Sequence, residues 1–200
     1  MRYLWLGLLL VTQVHADQAA LDALNARLST VGSLRADFQQ TLLSNEGRVL
    51  ERSSGELLLL QPGYFRWHIL EPDEQLLIAA EGTLWHYDVE LETITRRNVP
   101  TDNSHTPLAI LGGMGEALAE QYRVEAVGPQ AWRLVPRSEN ADFTALVLQF
   151  DGDRPLLMTV EDPLLRSTEI RFVNTELNPP LTAADFYFEP PPGVDVYVND

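Results

Sequence analysis

The side chains of this chain best suited to acid–base or metal chemistry are its four histidines, His15, His68, His86 and His105. A zinc helix needs paired ligands at i and i+4, and none of these residues has that spacing or lies in a Cys/His cluster. A nucleophilic serine on an elbow would read Gly-x-Ser-x-Gly, which does not occur. Gly112-Gly113-Met114-Gly115 lacks the Lys-Ser/Thr that a phosphate loop uses to hold phosphate and magnesium. Cysteine is absent, which removes thiolate nucleophiles, thiolate metal sites, disulfides and lipid attachment at an N-terminal cysteine. The 29 acidic residues would supply a carboxylate pair for glycoside hydrolysis in almost any fold, so their abundance carries no information. No catalytic residue, metal or cofactor is assigned, and an enzyme is not expected.

Alternating apolar faces are present instead. Phe65, Trp67 and Ile69 share one face of a strand, Trp85 and Tyr87 share a face of another, and Leu146, Leu148 and Phe150 repeat the pattern, as do Ile170 and Phe172. His68 and His86 fall on the opposite parity from their aromatic neighbours, which makes them surface or rim residues. The apolar faces either close into an ordinary core or line a cavity for a greasy ligand.

The elements that must position them are mainly strands. Asp17 to Val31 reads as a helix, with Asp17 as cap, Leu21, Leu24, Leu28 and Val31 on one face, and Gly32 as stop. The period then changes to two over Leu34–Leu42. Further strand-like runs are Val49–Leu60, Tyr64–Leu70, Gln75–Ala80, Leu84–Val89, Glu92–Asn98, Tyr122–Val127, Ala131–Pro136, Thr144–Phe150, Leu156–Glu161 and Ser167–Leu177. The punctuation between them is that of antiparallel hairpins: Pro62-Gly63, Glu71-Pro72-Asp73, Glu81-Gly82, Gly128-Pro129 and Asp151-Gly152-Asp153. About eleven strands are enough for a sheet that curls on itself. Thr106–Gly113 has Pro at a helix start and glycines past its end, and Glu116–Gln121 extends it as a second short helix. A short apolar helix there either plugs the core or covers an opening. A third begins at Thr182, before Phe186-Tyr187-Phe188 and a Pro-rich end. A core closed by the N-terminal helix is the simpler reading, but one four-turn helix and these short pieces cover less apolar face than eleven strands present, and the surplus suggests a cavity.

Arg2 followed by the apolar run Leu4–Val11, with Val14-His15-Ala16 after it, reads as a secretory signal over residues 1–16, leaving 17–200 as a single domain. The run is shorter than the roughly 20 apolar residues that span a bilayer. All 14 basic residues are arginine, and removing Arg2 with the signal takes the net charge from −15 to −16. Such a surface repels nucleic-acid phosphates and anionic headgroups, which excludes nucleic acid as a partner and disfavours stable membrane insertion.

Several segments in order resemble the LolA family of periplasmic lipoprotein carriers: Asp37-Phe38-Gln39-Gln40, Gly55-Glu56-Leu57, Pro62-Gly63-Tyr64-Phe65-Arg66-Trp67, Glu71-Pro72-Asp73-Glu74-Gln75, Gly82-Thr83-Leu84-Trp85-His86-Tyr87-Asp88, Thr106-Pro107-Leu108 through Leu111, and Phe186-Tyr187-Phe188-Glu189-Pro190-Pro191-Pro192-Gly193-Val194. The resemblance covers essentially residues 17–200. It implies an incomplete antiparallel β-barrel covered by the N-terminal helix and short lid helices, with a cavity for lipoprotein acyl chains. It also implies a periplasmic location, loading by the inner-membrane transporter LolCDE and delivery to the outer-membrane receptor LolB. LolB shares the fold but is lipid-anchored, and the absence of cysteine favours the soluble member. On this reading Phe38, Phe65, Trp67, Trp85 and Tyr87 form the cavity wall and mouth, and Pro107, Leu108, Ile110 and Leu111 form the lid.

Members of this family often place an arginine directly before the Pro of the Pro-x-x-Phe segment, where it bonds lid carbonyls and keeps the empty cavity shut. Gln61 stands at that position. An amide keeps two donors but loses the charge and three further N–H groups. The alternative function is a LolA-like periplasmic protein binding another amphiphile, a glycolipid or an aryl pigment, with the same fold and different partners.

Overall fold

The computed structural model describes residues 9–98, 107–112, 117–139 and 141–199. Helix α1 (Leu9–Leu28) leads into β1 (Ser33–Leu43), β2 (Val49–Leu60), β3 (Tyr64–Glu71), β4 (Gln75–Ala80), β5 (Thr83–Asp88) and β6 (Thr93–Asn98). A first 3-10 helix, Pro107–Gly112, and the short α2 (Ala117–Gln121) follow. The chain then returns through β7 (Tyr122–Gly128), β8 (Ala131–Pro136), β9 (Ala145–Asp151), β10 (Arg154–Glu161) and β11 (Ser167–Leu177). A second 3-10 helix, Ala183–Phe186, precedes β12 (Asp195–Asn199). Residues 1–8 of the expected signal, His105, and Thr106, Gly113, Met114, Gly115 and Glu116 around the short helices lie outside the described residues.

All twelve strands belong to one open sheet in the order β12-β6-β5-β4-β3-β2-β1-β11-β10-β9-β8-β7. Neighbours are antiparallel except β12, which runs parallel to β6. Two ladders, β2–β6 and β7–β11, therefore meet at β1, which pairs with β2 on one side and β11 on the other. A single apolar cluster takes side chains from β1–β3, from β7–β11 and from α1, which requires the sheet to curl around its inner face. The mainly β, incompletely closed architecture is the one expected.

Turn chemistry sets the register. Glu81 and Gly82 have φ of 50° and 74°, and Ala80 pairs directly with Thr83. Two consecutive left-handed residues make a tight two-residue hairpin loop whose twist matches the strands. That loop fixes Trp85 opposite Ile78 and Tyr87 opposite Leu76.

Two boundaries differ from the sequence reading. Helix α1 runs continuously from Leu9, so Asp17 lies inside it and does not cap it. It stops at Leu28, where the hydroxyls of Ser29 and Thr30 donate to the carbonyls of Ala26 and Arg27 and compete with helical bonding. Strand β12 is an additional twelfth strand: the Pro190–Pro192 run masks it, yet Val194, Val196 and Val198 alternate with Asp195 and Tyr197. Among the described residues no helix is long and apolar enough to cross a membrane.

Candidate functional site

The inner face is built pair by pair along β1 and β2. Leu34 faces Leu59, Ala36 faces Leu57 and Phe38 faces Gly55. Gly55 has no side chain for a physical reason. A Cβ there would lie 1.9 Å from the His68 carbonyl oxygen and 2.8 Å from the Phe38 ring. The Phe38 ring fills that space and stacks on Trp67, with centroids 3.5 Å apart and planes within 15°. Phe65 lies parallel to Trp67 at 6.5 Å on the same face of β3. The floor continues across β11 to β8 through Phe172, Ile170, Met158, Leu148, Leu146 and Leu134, all buried.

Two covers close over this floor. Helix α1 contributes Ala20, Leu24 and Leu28 and lies against β7. It is fastened by polar groups as well: the Arg27 guanidinium sits 5.4 Å over Trp132 and 5.3 Å over Phe150. Just beyond it, the Asn178 side chain accepts from the N–H groups of Gly32 and Ser33 at 2.8 and 3.2 Å and donates to the Thr30 carbonyl at 3.0 Å. The second cover is the first 3-10 helix. Ile110 and Leu111 are 0% and 2% exposed, Leu108 is half-buried, and all three pack into the inner cluster. Pro107, half-buried, opens that helix.

Gln61 directly follows β2. Its backbone N–H donates to Gly32 O at 2.9 Å, at the α1–β1 corner. Leu59, two residues before it, is the nearest neighbour of the position a Gly112 side chain would take, at 3.7 Å. The Gln61 Nε2 is buried and has no hydrogen-bond partner among the described residues. Arg66 does not take over the lid: its Nη1 reaches the Asp185 carbonyl at 3.5 Å, on the other face of the sheet.

The structure therefore brings together Phe38, Phe65, Trp67, Leu108, Ile110 and Leu111 and separates Trp85 and Tyr87 from them. Those two belong to a second cluster with Leu76, Ile78 and Phe186. Phe188 lies 5.6 Å from Trp85 and 6.1 Å from Tyr87, and Arg96 covers Trp85 at 5.5 Å. The cause is strand alternation. Trp67 pairs with Leu77 and Phe65 with Ala79, whereas Trp85 pairs with Ile78 and Tyr87 with Leu76, the other parity of the same β4. His68 lies on this outer face with its Nε2 2.8 Å from Glu74, and His86 is exposed beside Gln75 at 3.4 Å. Both are rim residues.

Sequence reasoning missed Arg27, Asn178 and Phe143. Phe143 stacks on Tyr122 at 6.1 Å, and burial raises the Tyr122 phenol above its ordinary value. None of the three carries a spacing signal, because each acts through a contact distant in sequence. Among the described residues no charged side chain is fully buried, and Ser33 and Ser53 are the buried polar ones beside the apolar cluster. That cluster has the chemistry of a binding surface for apolar chains.

Residues 29–189 match the family described as outer membrane lipoprotein carrier protein LolA. The outer-membrane lipoprotein carrier protein of Azotobacter vinelandii is 34% identical over 93% of this chain and 91% of its own length. That of Chromohalobacter salexigens is 33% identical over 90% of this chain and 88% of its own. Among solved structures, an uncharacterized conserved protein from Thermus thermophilus superposes with a TM-score of 0.55 at 22% identity, covering 91% of this chain and 98% of that one, a likeness of fold. With the match spanning both ladders, the 3-10 cover and the second cluster, the chain belongs to the LolA family of outer-membrane lipoprotein carrier proteins.

Proposed function

We propose that this chain shields the acyl chains of outer-membrane lipoproteins in the periplasm, receiving them from LolCDE at the inner membrane and passing them to LolB, with residues 1–16 serving as its export signal. The observation that carries this reading is the apolar cluster on the inner face, closed by a short 3-10 helix whose packed residues, Leu108, Ile110 and Leu111, are all apolar. Phe38, Phe65 and Trp67 are its wall, and Pro107 through Leu111 its lid. Trp85 and Tyr87 brace the back of that wall.

The energetics explain why such a device needs a lid. Burying acyl chains is worth about 0.8 kcal/mol per methylene, so several long chains amount to tens of kcal/mol and do not escape into water unaided. A carrier must hold them less well than the next acceptor and must open at its partners. Among the described residues this cover packs through apolar side chains, which separate without first breaking an ion pair.

The test is release from spheroplasts. Added protein should bring newly made lipoproteins into the soluble fraction, and lipid analysis of the product should find acylated cysteine. Soluble lipoprotein no higher than without the protein would overturn the carrier function. A glycolipid or pigment as the only co-purifying amphiphile would favour a binding protein with other cargo.

A further inference from the structure

Along β1 and β2 the inner face changes character after Phe38 and Gly55. The next directly opposed pair on that face is Gln40 and Ser53, and the one after it is Leu42 and Glu51. Successive same-face pairs are spaced by about 6.6 Å, two residues of strand rise. The floor thus runs apolar through Leu34, Ala36 and Phe38, then neutral and polar at Gln40 and Ser53, then reaches half-buried Leu42 and exposed Glu51. Ser53 is only 8% exposed, and its Oγ is buried without a hydrogen-bond partner among the described residues. Gln40 is half-buried, and its amide makes no hydrogen bond among the described residues. A buried hydroxyl left unpaired is costly, and native proteins rarely keep one without a use.

We propose that Gln40 and Ser53 form a polar step that receives the neutral ester or amide carbonyls joining acyl chains to the cargo's head, while the chains lie over Phe38 and Trp67. This rests on the carrier reading above and names the cargo chemistry of that same face. Ser Oγ–H and Gln Nε2 are uncharged donors and suit a carbonyl oxygen. Glu51, one pair further out, places a carboxylate where the phosphate of a phospholipid would lie. The step therefore favours a diacylglyceryl or amide-linked acyl group with no anion next to it. Glu51, not the step itself, discriminates acylated cysteine from bulk phospholipid, which shares the chains and their ester carbonyls but not the neutral head.

The experiment uses the full mature chain, a synthetic diacylglyceryl-cysteine peptide, a phosphatidylglycerol of equal chain length, and an uncharged naphthylamine dye lacking any carbonyl. One hydrogen bond to a neutral group corresponds to about 2- to 13-fold in affinity. Ser53→Ala should weaken the lipopeptide by about fivefold, and Ser53→Ala with Gln40→Leu by more than tenfold, while dye binding stays within twofold. The melting temperature of empty Ser53→Ala should match or exceed wild type, because the unpaired hydroxyl is gone; a purely structural serine would lower it. Glu51→Gln should raise phosphatidylglycerol affinity severalfold and leave the lipopeptide unchanged. Unchanged lipopeptide affinity in the double variant, or equal loss of dye and lipopeptide, would overturn the polar step and leave the carrier reading standing. A wild-type chain that binds dye but no lipopeptide would overturn both.

Discussion

Strands β2 to β5 carry an apolar cluster on each face, and the two are closed in different ways. On the outer face, Leu76, Ile78, Trp85 and Tyr87 are covered by Phe186 and Phe188 from the C-terminal segment. That segment is braced internally by Asp185, which accepts from the backbone N–H and hydroxyl of Thr182 at 2.7 and 3.0 Å, and it is tied to β3 by Arg66, which reaches the Asp185 carbonyl. On the inner face, Phe38, Leu57 and Trp67 are covered by Leu108, Ile110 and Leu111 through apolar packing. The same kind of surface thus has a fastened strap on one side and a packed lid on the other. On the carrier function proposed above, the strapped face stays closed and the packed cover is the one that lifts.

Truncating the strap gives the largest expected effect. Phe186 is 1% exposed, and Phe→Ala in a core costs about 3–5 kcal/mol. At about 2–4 °C per kcal/mol for a chain of this size, Phe186→Ala should lower the melting temperature by roughly 6–20 °C. Dye retention by the folded fraction should stay within about twofold, since the inner face is untouched. A large loss of retention with little change in melting would mean that the outer cluster is itself the binding surface, and the comparison would invert.

The mirror experiment is Ile110→Glu. A carboxylate forced into the inner cluster is unpaired and costly by several kcal/mol, and the lid relieves this by lifting into water. Retention of a hydrophobic probe should fall by more than about tenfold, while the melting temperature shifts by only about 3 °C or less. Loss of stability comparable to that of Phe186→Ala would make the lid an ordinary core element.

How much of this contrast could be read from the sequence depends on which signals are local. The strands were legible because alternation and turn residues are local, and Glu81-Gly82 even fixes the pairing of β4 with β5. Which parity faces inward was not, because it depends on β1 pairing with β11 some 130 residues away. Trp67 and Trp85 look alike in the sequence, and only the register places them on opposite faces. The short helix Pro107–Gly112 was visible from Pro107 and the glycines after it. The fastenings of α1 were not, since Arg27 and Asn178 work through residues far along the chain.

Gln61→Arg sharpens the contrast by adding a polar fastening to the lid. Gln61 Nε2 is buried without a partner among the described residues, and its backbone N–H bonds the α1–β1 corner. A charged donor is worth about 1.5–3 kcal/mol against about 1 for a neutral one, so the closed lid should gain roughly threefold to thirtyfold in population. Probe binding should slow, and the empty form should gain more in melting temperature than the loaded form. Equal gains in both forms would show that position 61 does not sense the lid.

The smallest expected effect concerns acid and the strap alone. The backbone N–H and then the hydroxyl of Thr182 hold the Asp185 carboxyl below its ordinary value near 3.8, with the Arg35 charge acting in the same direction and partial desolvation opposing them. A depressed carboxyl contributes stability that is fully present above the ordinary value and is lost as pH falls through the folded one. Asp185→Asn removes that contribution at every pH, because the amide does not titrate. The melting temperature of wild type should therefore exceed that of Asp185→Asn by a small, constant margin between pH 5 and 7, and the margin should shrink as pH falls below about 4. Asp162 provides the control. Desolvation, its largest single influence, raises it, but the N–H groups of Arg166 and Leu164 and the Arg166 guanidinium outweigh that and leave it lowered. It titrates in both proteins, far from the strap, and so cancels from the difference. Probe retention in Asp185→Asn should follow wild type throughout, because the carboxylate fastens the face that does not open. A margin that persists unchanged at pH 3, or a retention that falls with it, would show that the strap's polar tie does not act as this contrast between the faces requires.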